Sequence, residues 1–261
     1  MIIIHLSTMD DVIITKKERI TVISINRPDV RNAINYKTSR ILEKAMEEFN
    51  SDRDQHVVII TGTGGNFSAG ADLSDAKKMS EEVLNENGPM GFTRMIFQKP
   101  VIAAIEGYCV AGGLEMALAA DIRIAEKNSK FGFLERRFGV PLIDGGTQRL
   151  PAIIGLGRAL DMILTGKLIS GEEAYGIGLV NYITDKGKTL EKAMEIGKLI
   201  DSFPWTTVIN DRLSLIQRIS ETLGNGLRIE AELGKKTIDS GVVQNGAQKF
   251  LSGSGRHGKR E

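Results

Sequence analysis

The chain has 261 residues, and an apolar share of 41% is enough to bury the core of one large domain. Its 34 Lys and Arg nearly cancel its 33 Asp and Glu, so the net charge of +1 excludes a global field for nucleic acid or membranes. Cys109 is the single cysteine, which excludes an intramolecular disulfide, and one thiol with three histidines is too few for the usual zinc sites.

The chain opens on a short apolar run, MIIIHL, at residues 1–6. No basic segment precedes this run, and Asp10 and Asp11 follow soon after it. It therefore resembles neither a signal peptide nor a membrane span. Together with the single thiol, this pattern predicts a cytoplasmic protein with a metal-free interior.

The first third of the chain predicts a hairpin, a helix and a strand. Two β-branched runs at residues 12–15 and 20–25 flank a charged segment, which is typical of a β-hairpin. From residue 37 to residue 49 apolar side chains recur three and four positions apart, as on one face of a helix. Residues 57–61 then form a run typical of a buried strand.

A second strand, helix and strand are predicted at residues 101–105, 114–120 and 122–125, separated by glycine-bearing turns. After Pro151 the pattern becomes helical, and Ser170 with Glu173 has the spacing of a capping box. The helices predicted in this part lie at residues 157–165, 170–176, 189–202 and 206–223, with a last strand near 180–184. The terminal residues 251–261 are small, polar and basic, and we expect them to be frayed unless a ligand or subunit orders them.

Two glycine-rich turns are the features that indicate chemistry. The first, TGTGGNFSAGADL at residues 61–73, follows a strand but lacks both the GKS or GKT ending of a P-loop and the GxGxxG spacing of a dinucleotide fold. The second, EGYCVAGGLE at residues 106–115, lies between a strand and an apolar helix. Gly112 is predicted at the helix N-terminus, where a free N–H receives negative charge well, and Glu115 lies about one turn further on.

Both turns, in this order, resemble those of the crotonase, or enoyl-CoA hydratase and isomerase, superfamily. The resemblance extends over residues 12–256 and includes NRP at 26–28, NA at 32–33, KPVIAA at 99–104, ADIR at 120–123, FG at 131–132 and GGTQRL at 145–150. It implies an α/β fold, a spiral of repeated β-β-α units, in which residues 1–200 form the core that carries the active site. Residues 201–261 would form a C-terminal helical trimerisation region with a basic tail, giving a homotrimer or a hexamer made of two trimers.

In this superfamily two backbone N–H groups bind the thioester oxygen of an acyl-coenzyme A, and the resemblance assigns this role to Ala71 and Gly112. The thioester oxygen gains charge as the α-carbon becomes enolate-like, and each preorganised donor is worth about 3 kcal/mol in the transition state. Ala71 needs only a side chain small enough to let the thioester approach.

Hydratases of the superfamily also have two glutamates, which match Glu115 and Glu135. The resemblance therefore implies an enoyl-CoA hydratase of fatty acid degradation, which adds water to a 2-enoyl-CoA. Two departures from the family pattern are Leu134, where a proline is common, and Ala111, where a glycine is common; the first could re-aim Glu135 or let it pair with Arg137. Asp144 is then an alternative acid, and a single carboxylate would suffice for a 3,2-enoyl-CoA isomerase.

Coenzyme A is part of the substrate, so the resemblance implies no separate cofactor. It places basic residues near the CoA phosphates and backbone around the adenine. The residues concerned are Arg27, Arg31, Ala33, Ala69, Gly70, Asp72 and Leu73, with Lys77 or Lys78 as further candidates. An acyl tunnel would be lined by apolar residues such as Phe92, Met95, Ile96, Phe133, Phe138 and Trp205.

Two other classes of function stay open at this stage. Decarboxylases, hydrolases and dehalogenases of the same scaffold would keep Ala71 and Gly112 and change the acids, so Glu115 and Glu135 argue against them. A non-enzymatic CoA-ester or RNA binding protein is the other class, and the near-neutral charge disfavours the RNA reading.

Overall fold

The computed structural model describes residues 4–9 and 11–253, with side chains except at 4–9 and 217–222. The strands of its larger sheet are β1 (Ile4–Met9), β2 (Val12–Lys17), β3 (Ile20–Ile25), β4 (Val57–Gly62), β5 (Val101–Ile105), β7 (Ile122–Glu126) and β10 (Tyr182–Thr184). Their order across the sheet is β1-β2-β3-β4-β5-β7-β10. A smaller sheet consists of β6 (Tyr108–Val110), β8 (Lys130–Gly132) and β9 (Ile169–Ser170).

The helices alternate with the strands in the first part of the chain and dominate its last part. They are α1 (Tyr36–Ser51), α2 (Ala76–Glu81), α3 (Gly112–Leu118), α4 (Gly146–Ile154), α5 (Leu156–Thr165), α6 (Gly171–Gly176), α7 (Thr189–Asp201), α8 (Trp205–Asp239) and α9 (Val242–Leu251). Short 3-10 turns lie at Pro28–Val30, Leu73–Asp75 and Leu134–Phe138. The predicted α/β fold is thus confirmed.

The large sheet is covered on both faces. β2 and β3 form the predicted antiparallel hairpin, and the strands from β3 to β10 run parallel. Alternate residues of β4 point to opposite sides: Val58 and Ile60 join the main core, whereas Val57 and Ile59 pack towards α7. Because β4 and β5 are parallel, the turns that leave them emerge at the same edge, where ligands bind in sheets of this kind.

Each predicted helix is present, and the caps of α1 and α6 follow the expected chemistry. The Asn35 side chain accepts a hydrogen bond from the Thr38 amide at the start of α1, and Ser170 accepts one from the Glu173 amide at the start of α6. The helices α2, α4 and α9 and the strands β1, β6, β8 and β9 were not predicted.

The helix predicted at residues 206–223 is longer in the structure, where α8 continues to Asp239. Gly224 and Gly226 suggest a helix end by propensity, since glycine costs about 1 kcal/mol in a helix interior. Tertiary packing overrides that preference: a Cβ at Gly226 would lie 1.9 Å from the Gln148 side chain, and one at Gly234 would lie 2.1 Å from Ile143. The glycines of α8 therefore permit close contact with the segment at residues 143–148.

The division at residue 200 stays a prediction, and α8 begins close to it. Residues 254–261 of the predicted frayed tail lie outside the described residues. Among the described helices, none is both long and apolar enough to cross a membrane.

Candidate active site

The two glycine-rich turns lie side by side and are joined through their backbones. The Ser68 amide donates to the Tyr108 carbonyl at 2.9 Å, and the Val110 amide donates to the Ser68 carbonyl at 3.1 Å. Gly70 has a φ of +88°, which favours glycine, and a Cβ there would lie 2.8 Å from the Gly112 nitrogen. A side chain at Gly70 would push the turns apart.

The same contacts leave two amides unengaged. Around Ala71, the Ile34 amide donates to the Gly70 carbonyl and the Asp72 amide donates to the Ile34 carbonyl. Gly112 is the first residue of α3, so its N–H has no partner within the helix. Within the described part of the chain, neither the Ala71 nor the Gly112 N–H donates to another backbone group, and both residues line the same cavity.

Ala111 holds the backbone angle that a glycine would adopt more easily. Its φ is +53° and its ψ is −133°, a conformation that is strained for a residue with a side chain. The Ala111 amide donates to the Gly132 carbonyl, and its carbonyl accepts from the Leu114 and Glu115 amides. These bonds hold the turn, so the alanine does not prevent the Gly112 amide from lining the cavity.

The cavity has a volume of about 490 Å³ and runs between the two turns and the C-terminal helices. The predicted site residues that line it are Arg31, Ala33, Ala69, Ala71, Asp72, Leu73, Gly112, Glu115, Glu135 and Asp144. Gly70, Arg27, Lys77 and Lys78, which were also predicted to contact coenzyme A, do not line it. Its far end is apolar, with Phe138, Ile143, Ile238, Val243 and Phe250.

Arg27 is engaged within the protein. Its Nη1 donates to the Ala33 carbonyl and lies 3.0 Å from Asp72 Oδ2. Asp72 in turn accepts from the Ser74 amide and hydroxyl. Arg31, which was also predicted to contact coenzyme A, packs on an aromatic ring, with its guanidinium 4.7 Å from the centre of the Tyr108 ring.

Glu115 projects from α3 into the cavity wall with only 2% of its surface exposed. Its Oε1 accepts hydrogen bonds from the Asp144 amide at 2.9 Å and from the Gly146 amide at 2.8 Å. Burial raises the pKa of Glu115 well above its usual value, and the nearby carboxylates of Asp144 and Glu230 raise it further. The Gly146 amide acts in the opposite direction, because it stabilises the ionised form.

Glu135 lies in the 3-10 turn Leu134–Phe138 and is also buried. Among the described residues neither of its carboxyl oxygens has a hydrogen-bond partner, and burial raises its pKa to about 8. In the described part of the chain no ion pair joins Glu135 to Arg137, and the buried Nη1 of Arg137 also has no hydrogen-bond partner there. With leucine at position 134, Glu135 still lines the same cavity as Glu115.

Asp144 is buried beside them but is tied to a neighbouring loop. Its Oδ1 accepts hydrogen bonds from the Met90 amide at 3.1 Å and from the Thr93 hydroxyl. Burial raises its pKa, while these two donors and the charges of Arg94 and Arg149 lower it. Asp144 therefore fastens the loop that contains Met90, besides lining the cavity.

A fourth buried carboxyl group, Glu230, comes from α8 and was missed by sequence reasoning. Its Oε1 accepts from the Gly145 amide at 2.6 Å, and its Oε2 accepts from the amide of Thr147 at 2.8 Å and from the Thr147 hydroxyl. No local motif marks this position, since Glu230 lies in an amphipathic helix that carries many exposed charges. The single available signal was the helix itself, which we predicted to end at residue 223.

The remaining predicted residues lie elsewhere. Of those expected to line an acyl tunnel, Phe138 lines the cavity, whereas Trp205 stacks on His56 with ring centres 3.8 Å apart. Among the described residues no group of three or more His, Cys, Asp or Glu side chains is arranged to hold a metal ion. The chemistry available in the cavity is thus that of two amide donors and a cluster of carboxyl groups, which suits proton transfer at a carbon next to a carbonyl.

Comparison with known proteins identifies the family of the chain. The sequence matches the profile of the enoyl-CoA hydratase/isomerase family over residues 15–254. A short-chain-enoyl-CoA hydratase from Clostridium acetobutylicum is 38% identical over 202 residues, which are 75% of this chain and 77% of that protein. A crotonyl-CoA hydratase from Syntrophomonas wolfei is 35% identical over 228 residues, which are 85% of this chain and 88% of that protein.

Solved structures agree with the sequence relatives. The crystal structure of an enoyl-CoA hydratase from Mycobacterium tuberculosis H37Rv matches with a TM-score of 0.76 at 34% identity, covering 94% of this chain and 96% of that one. The crotonase resemblance seen in the two glycine-rich turns is confirmed by these matches, which span most of the described residues. The chain therefore belongs to the enoyl-CoA hydratase/isomerase family.

Proposed function

We propose that this protein is an enoyl-CoA hydratase, which adds water in the syn sense to a 2-enoyl-CoA and forms a 3-hydroxyacyl-CoA, as in fatty acid degradation. One observation carries the proposal: Glu115 and Glu135 are buried in the wall of the cavity that the unengaged amides of Ala71 and Gly112 also line. Adding water requires both a base and an acid, and the cavity offers two carboxyl groups for these tasks.

The two amides would bind the thioester oxygen. As a nucleophile attacks C3, negative charge moves onto that oxygen, and donors that are already in place stabilise it without reorganising. The donors belong to two turns that are hydrogen-bonded to each other, so their separation is set by the backbone rather than by side-chain rotamers. About 3 kcal/mol per donor corresponds to roughly two decades of rate each.

The carboxyl groups would divide the proton transfers. Burial raises the pKa of both groups, and ionisation of one disfavours ionisation of the other. Two amides donate to Glu115 Oε1, and they favour the ionised form of that group. Glu115 is then the base that takes a proton from water while the water oxygen bonds to C3. Glu135, with a pKa of about 8 and no donor of this kind, keeps its proton at pH 7 and gives it to C2.

The test is the loss of the conjugated-enoyl absorbance of crotonyl-CoA on addition of the purified protein. We expect hydration to 3-hydroxybutyryl-CoA, identified by mass. A parallel assay with a 3-enoyl-CoA measures double-bond isomerisation. Isomerisation without hydration would replace the proposal by the isomerase alternative, and saturable binding of crotonyl-CoA with neither reaction would favour a CoA-ester binding protein.

The acyl-CoA would be held without a separate cofactor. Support comes from Arg31, Ala69, Asp72 and Leu73, which line the cavity. Arg27 is paired with Asp72 and does not line the cavity, so we assign it to holding this wall. Arg31 lines the cavity, and we assign it to the CoA phosphates. Weaker binding of free coenzyme A to Arg31→Ala than to Arg27→Ala would support that assignment.

We also propose a homotrimer, or a hexamer of two trimers, formed through the C-terminal helices. The support is apolar surface on α8, where Leu215, Ile229 and Leu233 are each about half exposed. Light scattering at micromolar concentration is the test, and a monomer would contradict the proposal. The location in the cytoplasm stays a prediction.

A further inference from the structure

The N-terminus of α4 has an unusual set of acceptors. Its N-cap residue is Gly145, which has no side chain to accept the free amides of the first turn. Two buried carboxyl groups from other helices do so instead. Glu115 of α3 accepts from the amides of Asp144 and Gly146, and Glu230 of α8 accepts from those of Gly145 and Thr147.

The amides of four consecutive residues thus alternate between two carboxyl groups. Within so short a stretch the peptide planes are linked, so their N–H directions depend on one another. Turning the Gly145 and Thr147 amides towards Glu230 leaves the Asp144 and Gly146 amides directed at Glu115. We propose that Glu230 is a positioning residue for Glu115. It holds the peptide segment whose amides orient the Glu115 carboxyl group and favour its ionised form. This inference rests on the proposed function, because that function assigns the base role to Glu115.

The packing of α8 supports a fixed position for Glu230. Gly226 and Gly234, one turn before and one turn after it, bring α8 against the Gln148 and Ile143 side chains on either side of the segment. Arg149, on the same segment, donates to the Asp144 and Thr93 carbonyls. Glu230 itself is 5% exposed and makes three hydrogen bonds, so its carboxyl group has little freedom to leave.

Charge adds a second effect of Glu230 on Glu115. The groups facing this cluster are the carboxyls of Glu115, Asp144, Glu135 and Glu230 and the guanidiniums of Arg94 and Arg149. Burial raises the pKa of Glu230, while the Thr147 and Gly145 donors lower it, and in its ionised form Glu230 raises the pKa of Glu115. A neutral residue at 230 removes this charge, which acts to lower the pKa of Glu115, and it also releases the amides that favour the ionised form, which acts to raise that pKa. The ionisation of the base would therefore move from its wild-type pH.

The test compares Glu230→Gln with Glu232→Gln. Glu232 lies on the same helix, but its side chain is half exposed and pairs with Arg228. With crotonyl-CoA we expect Glu230→Gln to lower kcat about 10- to 100-fold, as loss of an orienting partner does, with KM changed less than threefold. The ionisation on the acid side of its kcat profile should move away from its wild-type pH. Glu232→Gln should match the wild type in kcat and profile.

Each result decides the inference. A folded Glu230→Gln protein with unchanged kcat and pH profile would overturn it, as would an equal loss in Glu232→Gln. If Glu230→Gln does not fold, Thr147→Val removes one hydrogen bond to Glu230 and keeps its charge, and a two- to fivefold loss of kcat is expected, with no loss overturning the inference. If the wild type isomerises a 3-enoyl-CoA and does not hydrate, the proposed function fails, and the same comparison in the isomerase assay decides the role of Glu230.

Discussion

The two sides of the cavity are built in different ways. On one side, Ala71 and Gly112 contribute backbone N–H groups from two turns that hydrogen-bond to each other. On the other side the carboxyl groups of Glu115 and Glu135 come from α3 and a 3-10 turn, and Glu230 of α8 holds the segment that contacts Glu115. The donor side therefore depends on backbone shape, and its donor atoms do not depend on side-chain rotamers. The carboxyl side depends on side chains that distant parts of the chain bring together.

The carboxyl side should show the largest effect of a single substitution. Glu115→Gln and Glu135→Gln each remove one proton-transfer group and nearly preserve volume, so we expect kcat for crotonyl-CoA hydration to fall about 10³-fold. The double variant should lose little more than either single one, because the two groups act in one step. Fully additive losses would mean that the two glutamates work independently, and the exposed Glu172→Gln is the control.

On the donor side the effect should depend on the amide alone. Ala71→Pro removes the N–H, and we expect a loss of kcat of about 10²- to 10³-fold. Ala71→Gly keeps the N–H, so its loss should stay below tenfold. Equal rates for the two variants in the same crotonyl-CoA assay would contradict the role of the Ala71 amide as a donor.

The burial of Glu135 should also appear in stability. Its pKa of about 8 lies above the ordinary value of 4.5, so the native state holds a proton that the unfolded chain releases between these values. The contribution is fully present below pH 4.5 and is lost as the pH rises through 8. Between pH 4.5 and 7 the wild type should lose about 3 kcal/mol of unfolding free energy relative to Glu135→Gln. Urea unfolding at several pH values measures this, and parallel curves would contradict it.

The smallest effect is expected at Ala111, behind the donor side. Its positive φ is strained for alanine, and Ala111→Gly should relieve that strain. After subtracting the greater entropy of an unfolded glycine, we expect a gain of about 1 kcal/mol in unfolding free energy. A loss of stability on thermal or urea unfolding would show that packing of the alanine methyl group stabilises the fold by more than its backbone strain costs.

Much of the donor side was predictable because its signals are local. The hairpin of β2 and β3, the buried strands β4 and β5 and the start of α3 near Gly112 follow from runs and spacings within a few residues. The glycine-dense turns mark the backbone shapes that free the amides. Family resemblance then assigned roles to Ala71 and Gly112, and the structure brings both to one cavity.

The carboxyl side of the cavity was predictable only in part. The resemblance pointed to Glu115, Glu135 and Asp144, and all three line the cavity, but nothing local indicated that Asp144 holds the loop of Met90 and Thr93. The apolar end of the cavity was mostly missed, because α9 supplies Val243 and Phe250 and was not predicted.

The sequence by itself determined the class of fold, the order of the two turns and the acids available for chemistry, because these depend on short-range patterns and residue identity. Tertiary structure alone decided which partner each acid has. Glu115 is held by amides of the segment before α4, Glu135 has no partner among the described residues, and Glu230 reaches the site from α8. Hydrogen bonding and burial set the charge of a carboxyl group, and both depend on residues far away in the chain.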